Sequence, residues 1–117
     1  MKKIDLKMYK NEEIILSYND LNVEYVDGCY QFLTEETLNF IKKNKNTLEY
    51  QRKNSDYEFK LIINENPVCT YNLKEQEYTL NIQVNKATFI EVDNILVITY
   101  NIESNEETIK IEIQWKE

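Results

Sequence analysis

Apolar and polar side chains alternate along most of this chain. In residues 77–84 Tyr78, Leu80, Ile82 and Val84 are separated by Thr79, Asn81 and Gln83, which is the period of an extended strand with one buried face. The same beat recurs in Tyr57, Phe59, Leu61 and Ile63, and again in Ile109, Ile111, Ile113 and Trp115. Residues 3–9 and 13–18 give two strands turned at Lys10 and Asn11. Asn19, Asp20 and Asn22 then interrupt before Val23 and Tyr25 resume the alternation. Asp27-Gly28 between two such flanks is a two-residue hairpin signal. Residues 48–52 place Leu48, Tyr50 and Arg52 on one face, and residues 68–73 form a further strand. The strand at 77–84 is expected to break at Asn85 and Lys86, leaving a short piece from Ala87 to Glu91. Asp93-Asn94 turns into residues 95–102, apolar on both faces and so expected in the middle of a sheet.

Residues 34–46 read two ways. Thr34 as a cap, Glu35 and Glu36 in a first turn, and Lys42, Lys43 and Lys45 near the end suit a helix over 35–43. Leu38, Phe40 and Ile41 make a poor helical stripe and suit a strand over 38–42. Both remain open on local grounds.

A chain with many short strands and no helix able to cover a sheet must pack the sheet on itself, as a sandwich or a barrel. The favoured architecture is all-β: a single antiparallel β-barrel of about 8–10 strands, with residues 1–117 as one domain and no internal repeat. The 117 residues suffice for one core, and 42% hydrophobic content with nine tyrosines and four phenylalanines excludes a disordered chain. One glycine and one proline are few for so many turns. Asparagine, which tolerates left-handed backbone and bonds its own main chain, is expected to end strands instead.

The order of these features resembles the YwiB-like family of small bacterial proteins of unassigned function. The resemblance rests on Tyr30, Phe32, Thr34, Glu35 and Glu36, the strand-closing Arg52, the Phe59-Lys60-Leu61 strand, Tyr71 ahead of a long alternating strand, and Ile98 to Ile102. It implies a calycin-like barrel, related in shape to lipocalins, and a strand at 38–43. Lys53 and Asn54, and Gln76 and Glu77, stand where the family pattern carries glycines, so those turns are built differently here.

Net charge is −7, with nine basic and eleven acidic side chains in residues 1–58 against five and ten in 59–117. That balance repels phosphate backbones, so nucleic acid is not an expected partner. The absence of histidine removes the usual nucleophile–base pairs and zinc sites. A single glycine rules out phosphate-cradling loops. The paired glutamates fall in turns, where solvated surface is the expected role. Neither an enzyme nor a bound metal or cofactor is expected. No stretch reads as a secretory signal or membrane span, so a cytoplasmic location is expected, with Cys29 and Cys69 as reduced packing residues.

Arg52, the only arginine, shares an inward face with Leu48 and Tyr50. A guanidinium in apolar surroundings must meet a carboxylate, a bound anion or rim water. Two functions follow. One is binding an apolar or amphipathic small molecule with an anionic end in the barrel interior, through Arg52, Tyr50, Tyr71, Tyr78 and Tyr100, with Tyr57 as a further ring. The other is a solid-core interaction module with an acidic surface that docks a protein, since the Tyr and Phe rings are numerous enough to fill a small barrel.

Overall fold

The computed structural model describes residues 2–116, and every regular element is a strand. There are eleven: β1 (Lys2–Lys10), β2 (Glu13–Val26), β3 (Cys29–Thr34), β4 (Thr37–Lys43), β5 (Leu48–Lys53), β6 (Tyr57–Ile63), β7 (Val68–Leu73), β8 (Tyr78–Ile82), β9 (Val84–Val92), β10 (Ile95–Ile102) and β11 (Glu107–Lys116). The hydrogen-bonded order is β8-β7-β6-β5-β4-β3-β2-β1-β11-β10-β9, with antiparallel pairing at each step from β1 through β11. The two end members, β8 and β9, are joined through the single residue Gln83. This all-β connectivity is that of an up-and-down antiparallel barrel. The chain forms two compact units, one from Met1–Val23 with Val84–Glu117 and the other from Glu24–Gln83.

The first unit is built on β1, β9, β10, β11 and the first part of β2. Its core positions lie opposite one another across the ladders: Met8 faces Ile111, which faces Ile98, and Leu6 faces Ile113, which faces Leu96. All six are buried, and each such side chain removed from water contributes about 1.5–3 kcal/mol. The doubly apolar segment at 95–102 is β10, paired on both sides by β9 and β11 but next to the end of the strand order, and only its Leu96, Ile98 and Tyr100 face is buried. Asn19 and Asp20 do not interrupt β2. They form a bulge where the register against β1 shifts between Ile4 and Leu6. Asp20 takes a left-handed φ of 59° there, and its amide donates to Asp5 Oδ1 at 2.9 Å.

The second unit carries β3 to β8 and the end of β2, with Phe32, Ile41, Leu48, Tyr50, Leu61, Ile63 and Cys69 buried. Residues 37–43 are strand β4, which settles the helix alternative: period two puts Thr37, Asn39 and Ile41 on the buried face. The strand read first from the sequence is the main correction. It begins at Tyr78, one residue later than expected, and Tyr78 and Leu80 are 54% and 45% exposed instead of inward and covered. β8 is the end member of the strand order and pairs only with β7 among the described residues. The break falls at Gln83, so residues 84–92 are one strand, not a fragment after Asn85 and Lys86. The rings are not the core fillers either. Among the Tyr and Phe side chains described, only Phe32, Tyr50 and Tyr100 are buried, and Ile and Leu supply most of the rest.

Turn chemistry explains how one glycine suffices. Asn11-Glu12, Asp27-Gly28 and Asp93-Asn94 each have both φ values positive, the two-residue hairpin turn that matches strand twist. The first of these lies one residue later than Lys10-Asn11. Further along, three loops reuse one device at ten-residue spacing, a regularity of the turns that hydrophobic spacing does not reveal. Asn44 Oδ1 accepts from the amides of Asn46 and Thr47, Asn54 Oδ1 from those of Asp56 and Tyr57, and Asn64 Oδ1 from that of Asn66. Each side chain thus replaces a backbone turn bond.

Candidate functional site

The inward face of the second unit is laid out by register. One cross-strand row runs Phe32, Asn39, Arg52, Phe59, Tyr71, Leu80. The row on one side runs Tyr30, Ile41, Tyr50, Leu61, Cys69, Ile82. On the other side Tyr57 faces Leu73, which faces Tyr78. Directly opposed side chains in such ladders have Cβ atoms about 4.5–5.5 Å apart. Arg52 is therefore flanked by Asn39 and Phe59, with Tyr71 one strand further on.

Asn39 is the hub of a polar cluster in this otherwise apolar face. It is fully buried, its Nδ2 lies 3.0 Å from Thr34 Oγ1 and 3.2 Å from the Thr37 carbonyl, and its Oδ1 accepts from the Tyr50 hydroxyl at 2.8 Å. Asn54 Nδ2 adds a bond to Thr37 Oγ1 at 3.0 Å. Burial pushes the Tyr50 phenol above its ordinary value, against the opposing pull of the Arg52 charge, so the hydroxyl stays protonated and donates to Asn39 at neutral pH.

Arg52 is half-buried, and its Nε is sealed from solvent with no hydrogen-bond partner. Among the described residues no carboxylate pairs with it. The acids on its own strand and on β6, Glu49 and Glu58, belong to the opposite face, where Glu49 Oε1 lies 3.5 Å from Lys60 Nζ and 2.7 Å from Gln51 Nε2. Leaving a buried donor unsatisfied costs about 1–3 kcal/mol, more when it is charged. Beside the guanidinium the lining is aromatic: Tyr57 and Tyr71 stack with centroids 5.1 Å apart at 17°, and Phe59 meets Tyr50 edge-on at 6.3 Å.

The structure thus brings together Tyr50, Arg52 and Tyr71, with Tyr78 at the exposed margin of the same face. Tyr100 lies in the other unit, buried on β10 opposite Ala87 and Ile109. Sequence reasoning missed Asn39 and Phe59 as members. The signal for Asn39 is the alternation Thr37, Asn39, Ile41, visible only once the segment is read as a strand.

A groove of about 370 Å³ lies between two loops of this unit, lined by Asn46, Thr47, Asn64, Glu65 and Asn66, with Glu65 the one charged side chain among them. No group of three or more acidic or cysteine side chains among the described residues is placed to hold a metal ion, and there is no helix among them long and apolar enough to cross a membrane. Comparison with protein-family models, curated proteins and solved structures returns no match.

Proposed function

We propose that this chain is a non-enzymatic binding protein, taking a small apolar or amphipathic molecule with an anionic end on the inward face of the second unit. The anion meets Arg52 and the apolar part lies against Tyr57, Phe59 and Tyr71. The observation that carries this reading is the buried Arg52 Nε with no partner, since natural structures seldom leave a charged donor in that state. The YwiB-like resemblance belongs to the same proposal through Arg52 and the Phe59-Lys60-Leu61 strand. So does a cytoplasmic setting, which suits the two free thiols. A fluorescent fatty-acid titration of the full chain tests it. Binding is expected to weaken at least about tenfold in Arg52→Ala, as loss of a charge-assisted contact implies. Equal binding by wild type and variant overturns it.

A second reading has its own observation. β8 pairs only with β7 among the described residues and exposes Tyr78 and Leu80, an arrangement suited to adding an extended peptide strand. Glu75 and Glu77 at its start favour a basic peptide. Proline substitution at Asn81 is expected to abolish capture of a Lys-rich β-peptide if this edge is used, and unchanged capture discards the reading.

A further inference from the structure

We infer that the ligand class of the Arg52 site is a compact aromatic carboxylate, not a long-chain acid; this rests on the binding reading above and narrows it. The inference comes from what surrounds the guanidinium in each direction along the face. Towards the Tyr50 row the face is closed, because Ile41, Tyr50, Leu61 and Cys69 are all buried against their neighbours. Beyond them Leu48 faces Ile63, also buried. A flexible alkyl tail has no lining to follow on that side.

Towards the Tyr57 row the side chains are only partly covered. Tyr57, Phe59 and Tyr71 are half-buried, and Tyr57 and Tyr71 are already stacked in parallel. A third ring beside such a pair gains the offset or edge contacts that rings prefer, and its own rigidity keeps the entropy cost of binding low. This aromatic strip is short: it gives way to the exposed Tyr78 and Leu80 two strands from β6. Its span fits one or two fused rings.

The charged end follows from the donor. The Nε–H and one Nη–H of an arginine form a flat fork whose spacing matches the two oxygens of a carboxylate. Here the Nε side of that fork is the dehydrated one. A planar acid in the plane of the fork satisfies it without bringing extra oxygens into an apolar wall, as a tetrahedral phosphate would.

Calorimetric titration of the full chain with 2-naphthoate, decanoate and 2-naphthyl phosphate separates these possibilities. For wild type, 2-naphthoate is expected to bind roughly tenfold tighter than decanoate, the scale of one added ring contact, and tighter than the phosphate. Tyr71→Leu is expected to weaken naphthoate several-fold and decanoate by clearly less, because leucine keeps an apolar contact and loses only the ring. Arg52→Lys, which keeps the charge but loses the fork, is expected to weaken naphthoate, with circular dichroism confirming an intact sheet. If decanoate or the phosphate binds tightest and still depends on Arg52, the aromatic-carboxylate class is wrong while the anion-binding reading stands. If no probe responds to Arg52→Lys or Arg52→Ala, both fall together.

Discussion

Tyr50 donates its hydroxyl proton to Asn39 Oδ1 at 2.8 Å, and both side chains are almost wholly shielded from water. A polar pair so placed is strong while intact and costly when broken, because the group left behind has no water to turn to. Tyr50→Phe is therefore expected to destabilise the protein by about 1–3 kcal/mol, read from urea denaturation midpoints. Adding Asn39→Leu to that variant is expected to cost less than the two single changes summed. Strict additivity would mean the bond contributes nothing.

The asparagine loops can be ranked by the bonds each side chain makes. Asn54 receives two amides and gives one bond to Thr37, whereas Asn64 receives one amide at an exposed position. Asn54→Ala is expected to cost about 1–2 kcal/mol and Asn64→Ala less than about 1 kcal/mol. Equilibrium unfolding of the two variants gives the order, and a reversed order contradicts the account.

Left-handed turn residues predict opposite signs at two hairpins. Gly28 has φ +79° and its nearest atom to an added Cβ, the Tyr25 hydroxyl oxygen, is 3.9 Å away, so Gly28→Ala meets no clash and is expected to lose about 1 kcal/mol from backbone strain alone. Glu12 has φ 72° with a side chain that pays this strain already. Glu12→Gly is expected to gain about 0.5–1 kcal/mol, and thermal melts compare both variants with the parent.

How much of this was legible in the sequence follows from what period two encodes. Alternation specifies a strand and two faces, so β1, β6, β10 and β11 were readable, and Asp27-Gly28 named its own turn. Alternation does not specify what lies over a face. Tyr78, Leu80 and Ile82 carry the cleanest pattern in the chain, yet β8 is an end member whose outer residues stay open. Asn39 was hidden for a different reason: the glutamates and lysines around it fit a helix dipole, and its burial depends on partners in β3 and β5. The Arg52 face was visible from Leu48 and Tyr50, and alternation already puts Glu49 and Glu58 on the other side; the unpartnered Nε was not visible, because it depends on the cross-strand register that sets Asn39 and Phe59 beside Arg52.

Acid and alkaline stability should depend on the bulge at Asp20. The amide of Asp20, followed by the Lys116 ammonium, holds the Asp5 carboxyl below its ordinary 3.8; Lys116, bonded to Asp20 and then Asp5, is held above 10.5. A depressed carboxyl stabilises the fold above its unfolded value, and that contribution vanishes as pH falls through the folded value. The raised ammonium contributes below its unfolded value and ceases to as pH climbs through the folded one. Asp5→Asn is expected to flatten the fall in melting temperature between about pH 5 and pH 2. A variant curve parallel to wild type would contradict the linkage.

The two thiols should separate cleanly. Burial pushes Cys69 up to about 11 and leaves it 2% exposed, while the Cys29 thiol, raised mainly by partial burial, remains half-exposed. An aromatic disulfide reagent at neutral pH is expected to modify Cys29 first and Cys69 only on unfolding, because reaction needs an accessible thiolate.

The pairing of β1 with β11, which sets Lys3 opposite Lys116, bears on the order of events during synthesis. Residues 24–83 are contiguous and joined by neighbouring hairpins, so they meet their partners as they leave the ribosome. Strand β1 must wait for β11. Its apolar face, Ile4, Leu6 and Met8, stays without that partner until residues 107–116 have emerged, a long-range pairing that forms late and leaves apolar surface open meanwhile.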